Sequence, residues 1–99
     1  MALKMDPAGV EIRELRKAVG WRGKQVLEAG CGEGRLTLRL ARLGAERIIA
    51  FDPDPDLIRK ARENLPERYR GKIRYQPGSA EHVKQRARQF DVVVFSWVL

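Results

Sequence analysis

A segment with three closely spaced glycines constrains the fold of this chain more than any other feature. It reads Val26-Leu27-Glu28-Ala29-Gly30-Cys31-Gly32-Glu33-Gly34-Arg35-Leu36. The apolar run before Gly30 predicts a buried strand, and the leucines spaced among polar residues from Leu36 to Gly44 predict a helix. Glycine adopts positive φ angles freely and lets a ligand approach the main chain closely. The segment is therefore typical of a strand-turn-helix unit that binds a nucleotide.

The spacing of the glycines narrows the kind of nucleotide. Dinucleotide-binding loops follow the pattern G-x-G-x-x-G, in which the third glycine lets the helix pack closely on the strand. In this chain Arg35 occupies that third position, and the pattern is G-x-G-x-G with Glu28 two residues before the first glycine. A loop of this kind can also be a tight structural turn. Both interpretations stay open on these residues alone.

A second apolar segment ends on a carboxylate at the spacing expected of a ribose contact. Residues 47–52 predict a strand buried on both faces, and Asp52 lies 22 residues after Gly30. Nucleotide-binding βαβ units place an acid at about this spacing, where it accepts hydrogen bonds from the ribose hydroxyls. The structural alternative is an Asp-Pro turn in which Asp54 caps the next helix at Pro55. The two interpretations are compatible if Asp54 caps the helix and Asp52 is left free.

The rest of the chain predicts alternating helices and strands. Helices are expected over residues 7–19 and 55–65, and a loop is expected over 77–81. Further strands are expected over residues 25–29, 72–76 and 90–99, with 72–76 at the edge of the sheet. Such alternation implies right-handed crossovers and a parallel sheet that binds ligands at the carboxyl ends of its strands.

Length and charge limit the possible compartments and partners. The 99 residues allow one small domain, and no apolar run reaches membrane-spanning length or resembles a signal peptide, so we expect a cytoplasmic protein. The net charge of +7 is compatible with a nucleic-acid partner, for which the basic run from Lys84 to Arg88 is the best candidate. Basic residues nevertheless mix with glutamates on the predicted helix surfaces. A solvated surface is the favoured interpretation, and neither a nucleic acid nor a membrane is the expected partner.

Cys31 and His82 are each the only residue of their type. A lone histidine lacks the companions that a metal site or a nucleophile-base pair needs, so we expect no metal and place His82 at the surface. Cys31 has no disulfide partner and no identifiable base, and its small side chain suits the close approach of a ligand. The sequence identifies no catalytic residue.

Two motifs resemble those of a known enzyme family. The residues E-A-G-C-G-E-G-R-L-T at 28–37 resemble the first motif of class I methyltransferases that use S-adenosylmethionine (SAM), and F-D-V-V-V-F-S-W-V-L at 90–99 resembles the fourth. The resemblance implies that the glycine loop passes under the methionine end of SAM, that Glu28 lies near its amino group and that Asp52 binds its ribose. The implied cofactor-binding residues are Glu28, Gly30, Cys31, Gly32, Gly34, Asp52, Pro53, Ser79, Ala80 and Ser96.

The chain departs from the family pattern at the predicted adenine contact. Family members often carry an acidic residue followed by alanine at the end of the third strand, and the acid contacts the adenine amino group. This chain has Ser79 and Ala80 there. A neutral hydroxyl accepts a weaker hydrogen bond than a carboxylate, so we expect a weaker adenine contact.

The resemblance also implies an α/β fold. We expect a Rossmann-like, three-layer αβα arrangement with a mainly parallel sheet, strand order 3-2-1-4 counted from the predicted strand 25–29, and a cleft between strands 1 and 4. Asp91, at the start of strand 4, then lies at the opposite end of the sheet as a structural turn residue. Residues 1–99 are interpreted as a single partial domain, truncated after strand 4, with the SAM-binding region at about 21–99.

Truncation after strand 4 has a consequence for the edge of the sheet. In the family a fifth strand pairs with strand 4, so the backbone of Val92 to Phe95 is expected to be unpaired here. Unpaired apolar edges recruit other strands. We therefore expect either self-association through strand 92–96 or an ordered portion of a longer polypeptide.

The function that the resemblance implies is methyl transfer. The expected enzyme takes a methyl group from SAM, passes it to an unidentified acceptor and releases S-adenosylhomocysteine. We expect the 99 residues alone to be inactive, because the family places much of its acceptor pocket after strand 4. Two alternatives stay open, namely a module that binds SAM or its product without turnover and, less favoured, a nucleic-acid-binding fragment.

Overall fold

The computed structural model describes residues 2–5 and 20–96, including the side chains of residues 20–79 and 81–96. The strands in these ranges are β1 (Ala2–Met5), β2 (Gln25–Ala29), β3 (Arg47–Asp52), β4 (Ile73–Pro77) and β5 (Val92–Ser96). The α-helices are α1 (Arg35–Arg42), α2 (Pro55–Glu63) and α3 (Ala80–Arg86), with short 3-10 helices at Glu67–Tyr69 and Ala87–Gln89. Across these ranges, no helix has both the length and the apolar character needed to cross a membrane.

The strands form one parallel sheet in the order β1-β5-β2-β3-β4. The segment β4-β3-β2-β5 is the predicted order 3-2-1-4, which is confirmed. Val26 of β2 pairs with Ile48 of β3 on one side and with Val92 of β5 on the other. Strands β3 and β4 therefore lie on one side of β2, whereas β5 lies on the other side. Ligands of open α/β sheets bind where the strand order reverses in this way.

Helices cover both faces of the sheet. Successive strand residues point to opposite faces, so each central strand contributes to two cores. One core contains Leu40 of α1, Ile58 of α2 and Val26 of β2, and the other contains Val83 of α3 and Leu27 of β2. This is the three-layer αβα arrangement of the Rossmann-like fold, as predicted.

The helix α2 begins where the sequence predicts. The Asp54 side chain accepts a hydrogen bond of 2.9 Å from the amide of Asp56, and Pro55 occupies the first turn, where no amide donor is needed. The predicted cap is confirmed, and the helix ends at Glu63, two residues before the predicted end.

Two other predictions about boundaries had different outcomes. The loop predicted over residues 77–81 is wrong in part, because α3 begins at Ala80. The first turn of α3 is held by its own residues, since the backbone amide of Ser79 donates to Nδ1 of His82 at 3.1 Å. The predicted helix over 7–19 and the predicted strand residues 97–99 lie outside the described residues.

The outer edge of β5 is paired, which corrects an expectation. β1 runs parallel to β5, with Ala2 opposite Val93 and Met5 opposite Ser96. The prediction that the backbone of Val92 to Phe95 is unpaired is therefore wrong. β1 has only four residues, a length at which hydrophobic periodicity carries no signal. Self-association through this edge stays a prediction.

At the opposite edge of the sheet, a side chain covers part of β4. The Arg62 guanidinium of α2 donates two hydrogen bonds to the carbonyl oxygen of Tyr75, at 3.1 Å from Nε and 2.7 Å from Nη2. Bonds of a charged donor to one oxygen are stronger than neutral ones. They fix α2 against the edge strand and reduce the unpaired backbone that β4 presents.

The pairing of β1 predicts the behaviour of a chain that lacks it. Deleting residues 1–5 should expose the backbone donors and acceptors of β5, which then recruit a second copy of the chain. Light scattering over a tenfold range of protein concentration should show a mass that rises more steeply with concentration for the deletion variant than for the full chain. Circular dichroism checks that the variant remains folded. Equal masses for the two folded chains would contradict the prediction.

Candidate cofactor site

A cleft opens at the carboxyl ends of β2 and β5, on the side where the sheet order reverses. Its volume is about 280 Å³. The residues that line it come from the ends of four strands or the loops that follow them, and they are Ala29, Gly30, Pro53, Gly78, Ser79, Phe95 and Ser96. The cleft includes the expected position between predicted strands 1 and 4, and it extends over the ends of predicted strands 2 and 3 as well.

Four of the predicted site residues, Gly30, Pro53, Ser79 and Ser96, line this cleft directly. The others hold the surrounding structure: Glu28, Cys31 and Asp52 are buried, and Gly32 and Gly34 complete the loop that follows Gly30. Ala80 begins α3, and its side chain lies outside the described part of the structure. The predicted residues thus lie together at one end of the sheet, and only part of the predicted list forms the cleft wall.

The glycine loop has the backbone conformation that the sequence predicts. Gly30, Gly32 and Gly34 have φ angles of 82°, 56° and 91°, all in the region that side chains disfavour. Gly34 has a further reason to be glycine, because a Cβ atom there would overlap the hydroxyl and ring of Tyr75. The edge strand β4 thus packs directly against the end of the loop.

The amide groups of this loop are used within the chain. Gly30 and Cys31 both donate to the carbonyl oxygen of Phe51, at 2.7 and 3.1 Å, and Gly34 donates to the carbonyl oxygen of Cys31 at 2.9 Å. Gly32 donates to Oδ2 of Asp52 at 3.0 Å. Loops that cradle phosphates direct such amides at the ligand. This loop instead supports the cleft without offering these amides to an anion.

Asp52 is buried, and both of its oxygens have partners. Oδ2 accepts from the amide of Gly32 at 3.0 Å, and Oδ1 accepts from the amide of Asp54 at 2.9 Å. The expectation that Asp52 is left free is therefore wrong, because the loop after β2 and the turn after β3 both bring an amide to it. Each carboxylate oxygen has a second lone pair, so these bonds leave capacity for another donor.

Glu28 lies at the centre of a buried polar network. Its side chain is 0% exposed, Oε1 accepts from the hydroxyl of Thr37 at 2.6 Å, and Oε2 accepts from the hydroxyl of Ser96 at 2.8 Å. Tyr75 extends the network through a hydrogen bond to Thr37. These contacts join β2 to α1, β4 and β5. Glu28 therefore acts on the cleft through Ser96, which lines it.

Burial dominates the electrostatics of this network. It raises the pKa of Glu28 above its ordinary value of 4.5, against the lowering effect of the hydrogen bonds from Thr37 and Ser96, and nearby Asp52 adds to the rise. Burial also raises the pKa of the Tyr75 hydroxyl. The acidic groups and the absence of basic side chains among the residues that line the cleft make this end of the described sheet unfavourable for an anion.

Cys31 and His82 have different surroundings. Burial raises the pKa of the Cys31 thiol, and Glu28 and Asp52 raise it further, which disfavours the nucleophilic thiolate. His82 is exposed, as predicted, and its ring stacks on Phe51 with 6.1 Å between centroids. Within the described residues, no group of three His, Cys, Asp or Glu side chains could hold a metal ion.

Sequence reasoning missed residues that act across the sheet. Phe95 and Ala29 provide apolar wall, and Thr37 and Tyr75 complete the network around Glu28. Phe95 lies next to Ser96, in a strand already predicted to reach the cleft. Its position at the end of that strand could therefore have identified it as a residue of the cleft wall. Thr37 and Tyr75 gave none, because only tertiary packing brings their hydroxyls to Glu28.

The raised pKa of Glu28 predicts a pH-dependent stability. Between pH 4.5 and the folded-state pKa, Glu28 is ionised in the unfolded chain and protonated in the folded one, so the free energy of unfolding falls as pH rises through this window. Glu28→Gln removes this titration. Urea unfolding at pH 4 to 8 should show the variant gaining stability relative to the unsubstituted chain as pH rises.

A second substitution controls for the loss of one carboxylate. Glu63→Gln removes an exposed carboxylate from the surface of α2 and should leave the difference in free energy of unfolding nearly constant over the same range. Parallel stability curves for Glu28→Gln and the unsubstituted chain would contradict the prediction.

Comparison with known proteins identifies the family. A family model described as a methyltransferase domain matches residues 26–99. The chain is 42% identical over 72 residues to the magnesium-protoporphyrin O-methyltransferase of Rhodobacter capsulatus, covering 73% of this chain and 31% of that protein. It is 36% identical over 86 residues to a ubiquinone biosynthesis O-methyltransferase of Azorhizobium caulinodans, covering 87% of this chain and 32% of that protein.

A solved structure has the same fold. The phosphoethanolamine N-methyltransferase 1 of Haemonchus contortus, in complex with phosphoethanolamine and S-adenosylhomocysteine, superposes with a TM-score of 0.71 at 27% identity, covering 88% of this chain and 18% of that protein. The chain spans about a third of the length of the two sequence relatives. Because the family model covers most of the chain and the sheet order agrees with it, the chain belongs to the methyltransferase-domain family, in the class I group that uses S-adenosylmethionine.

Proposed function

We propose that this chain is the SAM-binding part of a methyltransferase that transfers a methyl group to an acceptor and releases S-adenosylhomocysteine. The observation that carries the proposal is the glycine loop, which contributes Gly30 to the cleft wall while its amides at Gly30, Cys31, Gly32 and Gly34 donate within the chain. A phosphate-bearing dinucleotide needs such amides, whereas SAM has no phosphate.

The charge of the cleft agrees with this ligand. SAM carries a sulfonium and an ammonium group beside a single carboxylate, so its net charge is positive. Glu28 and Asp52 are the buried acids at this end of the sheet, and the cleft lining contains no basic side chain among the described residues. Apolar surface from Phe95 and Ala29 offers a wall for the uncharged parts of the ligand.

We assign roles to the site residues on this basis. Asp52 accepts hydrogen bonds from the ribose hydroxyls with its remaining lone pairs, beside Pro53. Ser79 and Ala80 contact the adenine. Gly30 and Ser96 lie against the methionine end, and Glu28 positions Ser96 there by accepting the hydrogen bond from its hydroxyl. Cys31, Gly32 and Gly34 shape the loop without a chemical role.

The proposed chemistry asks the protein mainly for alignment. SAM supplies an electrophilic methyl carbon: the acceptor's lone pair forms the new bond to that carbon, the bond from carbon to sulfur breaks, and its electron pair stays on sulfur. The residues of this chain fix the direction of the methyl group by holding the ribose at Asp52 and the methionine end at Gly30 and Ser96. Such positioning lowers the barrier without a nucleophile from the protein. We further propose that the protein works in the cytoplasm.

Asp52 provides a test of the cofactor. Asp52→Asn should weaken the binding of S-adenosylhomocysteine by about 1.5–3 kcal/mol, measured by calorimetric titration, because a charge-assisted bond to the ribose is lost. Tighter binding of NAD than of S-adenosylhomocysteine by the unsubstituted chain would contradict the proposed ligand.

Asp52 also holds Gly32 and Asp54, so the same variant needs a control for loop disruption. Adenosine and 2′,3′-dideoxyadenosine differ only in the ribose hydroxyls. The substitution should weaken adenosine binding and leave dideoxyadenosine binding nearly unchanged. An equal loss for both ligands would mean that Asp52 acts only through the loop.

A second prediction concerns turnover by the 99 residues alone. We expect SAM binding with little or no methyl transfer, because the chain spans about a third of its relatives and binding without a positioned acceptor loses most of the proximity effect. Incubation with methyl-labelled SAM and a panel of hydroxyl, amine and thiol acceptors measures this. Rapid turnover of any acceptor would contradict the prediction.

A further inference from the structure

A second, smaller cavity lies at the opposite end of the sheet from the cofactor cleft. Its volume is about 80 Å³, and it is lined by Arg47, Ile48, Arg70, Gly71, Lys72, Ile73 and Arg74. These residues precede or begin β3 and β4. Strands of five or six residues span about 17–20 Å, so this cavity is separated from the cofactor cleft by the length of the sheet.

The basic surface continues from the cavity to the turn before β2. The carbonyl oxygen of Lys24 accepts from the amides of Glu46 and Arg47 at 2.8 and 3.4 Å, and the amide of Ile48 donates to the carbonyl oxygen of Lys72 at 2.8 Å. Three successive strand starts are therefore adjacent. We call their exposed cations the basic rim, which consists of Arg22, Lys24, Arg47, Arg70, Lys72 and Arg74.

The acidic side chains near the rim do not balance its six cations. The ion pairs of Arg59 with Asp56 and Glu63, and of Lys60 with Glu33, lie away from the rim and involve none of its cations. Acidic residues near the rim are fewer than its cations: Glu46 and Glu67 lie beside it in sequence, and the Asp91 carboxylate accepts from the amide of Gln25 at 2.8 Å. The rim therefore keeps a positive potential.

Tyr69, one residue before Arg70 of the rim, is surrounded by further cations. The Arg68 guanidinium lies over the Tyr69 ring, 4.8 Å from its centroid. A hydrogen bond from Arg68 lowers the pKa of the Tyr69 hydroxyl, and Arg42 at the end of α1 lowers it further. Two more cations thus border the rim, and both favour a negative charge at this end of the molecule.

We propose that the basic rim binds the phosphate groups of a nucleic-acid strand. The cavity is far smaller than the pockets of about 300–1,000 Å³ that enclose small-molecule ligands. It suits a single small anion, and the arginine guanidinium is the side chain whose planar donors match phosphate geometry. Because Arg22 and Lys24 extend the rim over the turn before β2, the surface fits several linked phosphates better than one free phosphate.

This proposal does not depend on the proposed function, since the rim and the cofactor cleft share no residue. It also differs from the nucleic-acid candidate in the sequence, the run from Lys84 to Arg88, which lies on α3 and the turn after it. The rim lies instead in the turns that begin the strands, where Glu46 and Glu67 are its neighbours in sequence.

Removing two rim cations tests the proposal. Binding of a fluorescent 12-nucleotide oligouridylate to the full chain is measured by anisotropy at several salt concentrations. Arg70→Ala with Lys72→Ala should weaken binding at low salt about tenfold and lower the slope of log K against log salt by about 0.7 for each lost phosphate contact. Lys84→Ala with Arg88→Ala removes the same charge elsewhere and should change both quantities much less.

Other outcomes would overturn the proposal. Equal weakening by the two double variants would mean a general attraction of charge, and no binding of the oligonucleotide at low salt would exclude the site. Binding of inorganic phosphate at the rim without the oligonucleotide would identify a small-anion site instead. Unchanged affinity for S-adenosylhomocysteine and unchanged urea unfolding show that the rim variant remains folded.

Discussion

The buried carboxyl group of Glu28 is the contact on which the site depends. It accepts from Thr37 of α1 and from Ser96 of β5, so one group fixes a helix and a strand relative to β2. Burying a carboxyl group without hydrogen-bond partners costs free energy of folding, so the two hydroxyls stabilise the fold by satisfying Glu28. Ser96 in turn lines the cleft, and the shape of the cleft therefore follows from the packing beneath it.

The use of the loop amides explains why a common strand-turn-helix unit serves a cationic ligand here. Gly32 donates to Asp52, and Gly30 donates to Phe51, so β3 rather than a ligand satisfies them. Opposite ends of the same sheet then differ in charge. The carboxyl ends carry Glu28 and Asp52, while the amino ends carry the basic rim. The fold separates two binding chemistries by the length of its strands.

Local sequence signals were sufficient for most of the fold. Neighbouring residues determine the strand over 25–29, the glycine turn and the helix after it. The strand and the helix were predicted from their apolar pattern, and the turn from glycines that can adopt positive φ angles. Asp52 was predicted at the correct end of the sheet, but its partners were not, because the Gly32 amide lies 20 residues away in the chain. Only the assembled fold brings Tyr75 to Gly34, and β1 is too short for a pattern.

The bond between Glu28 and Ser96 joins residues 68 positions apart in the chain. Contacts of such long separation form late, since the entropy of closing the intervening chain must be overcome first. The floor of the cleft is consequently complete only when β5 docks beside β2, although the glycine loop itself follows directly after β2 in the chain. A polypeptide extended only as far as α3 therefore contains the glycine loop but lacks Ser96, and Glu28 then has the hydroxyl of Thr37 without that of Ser96.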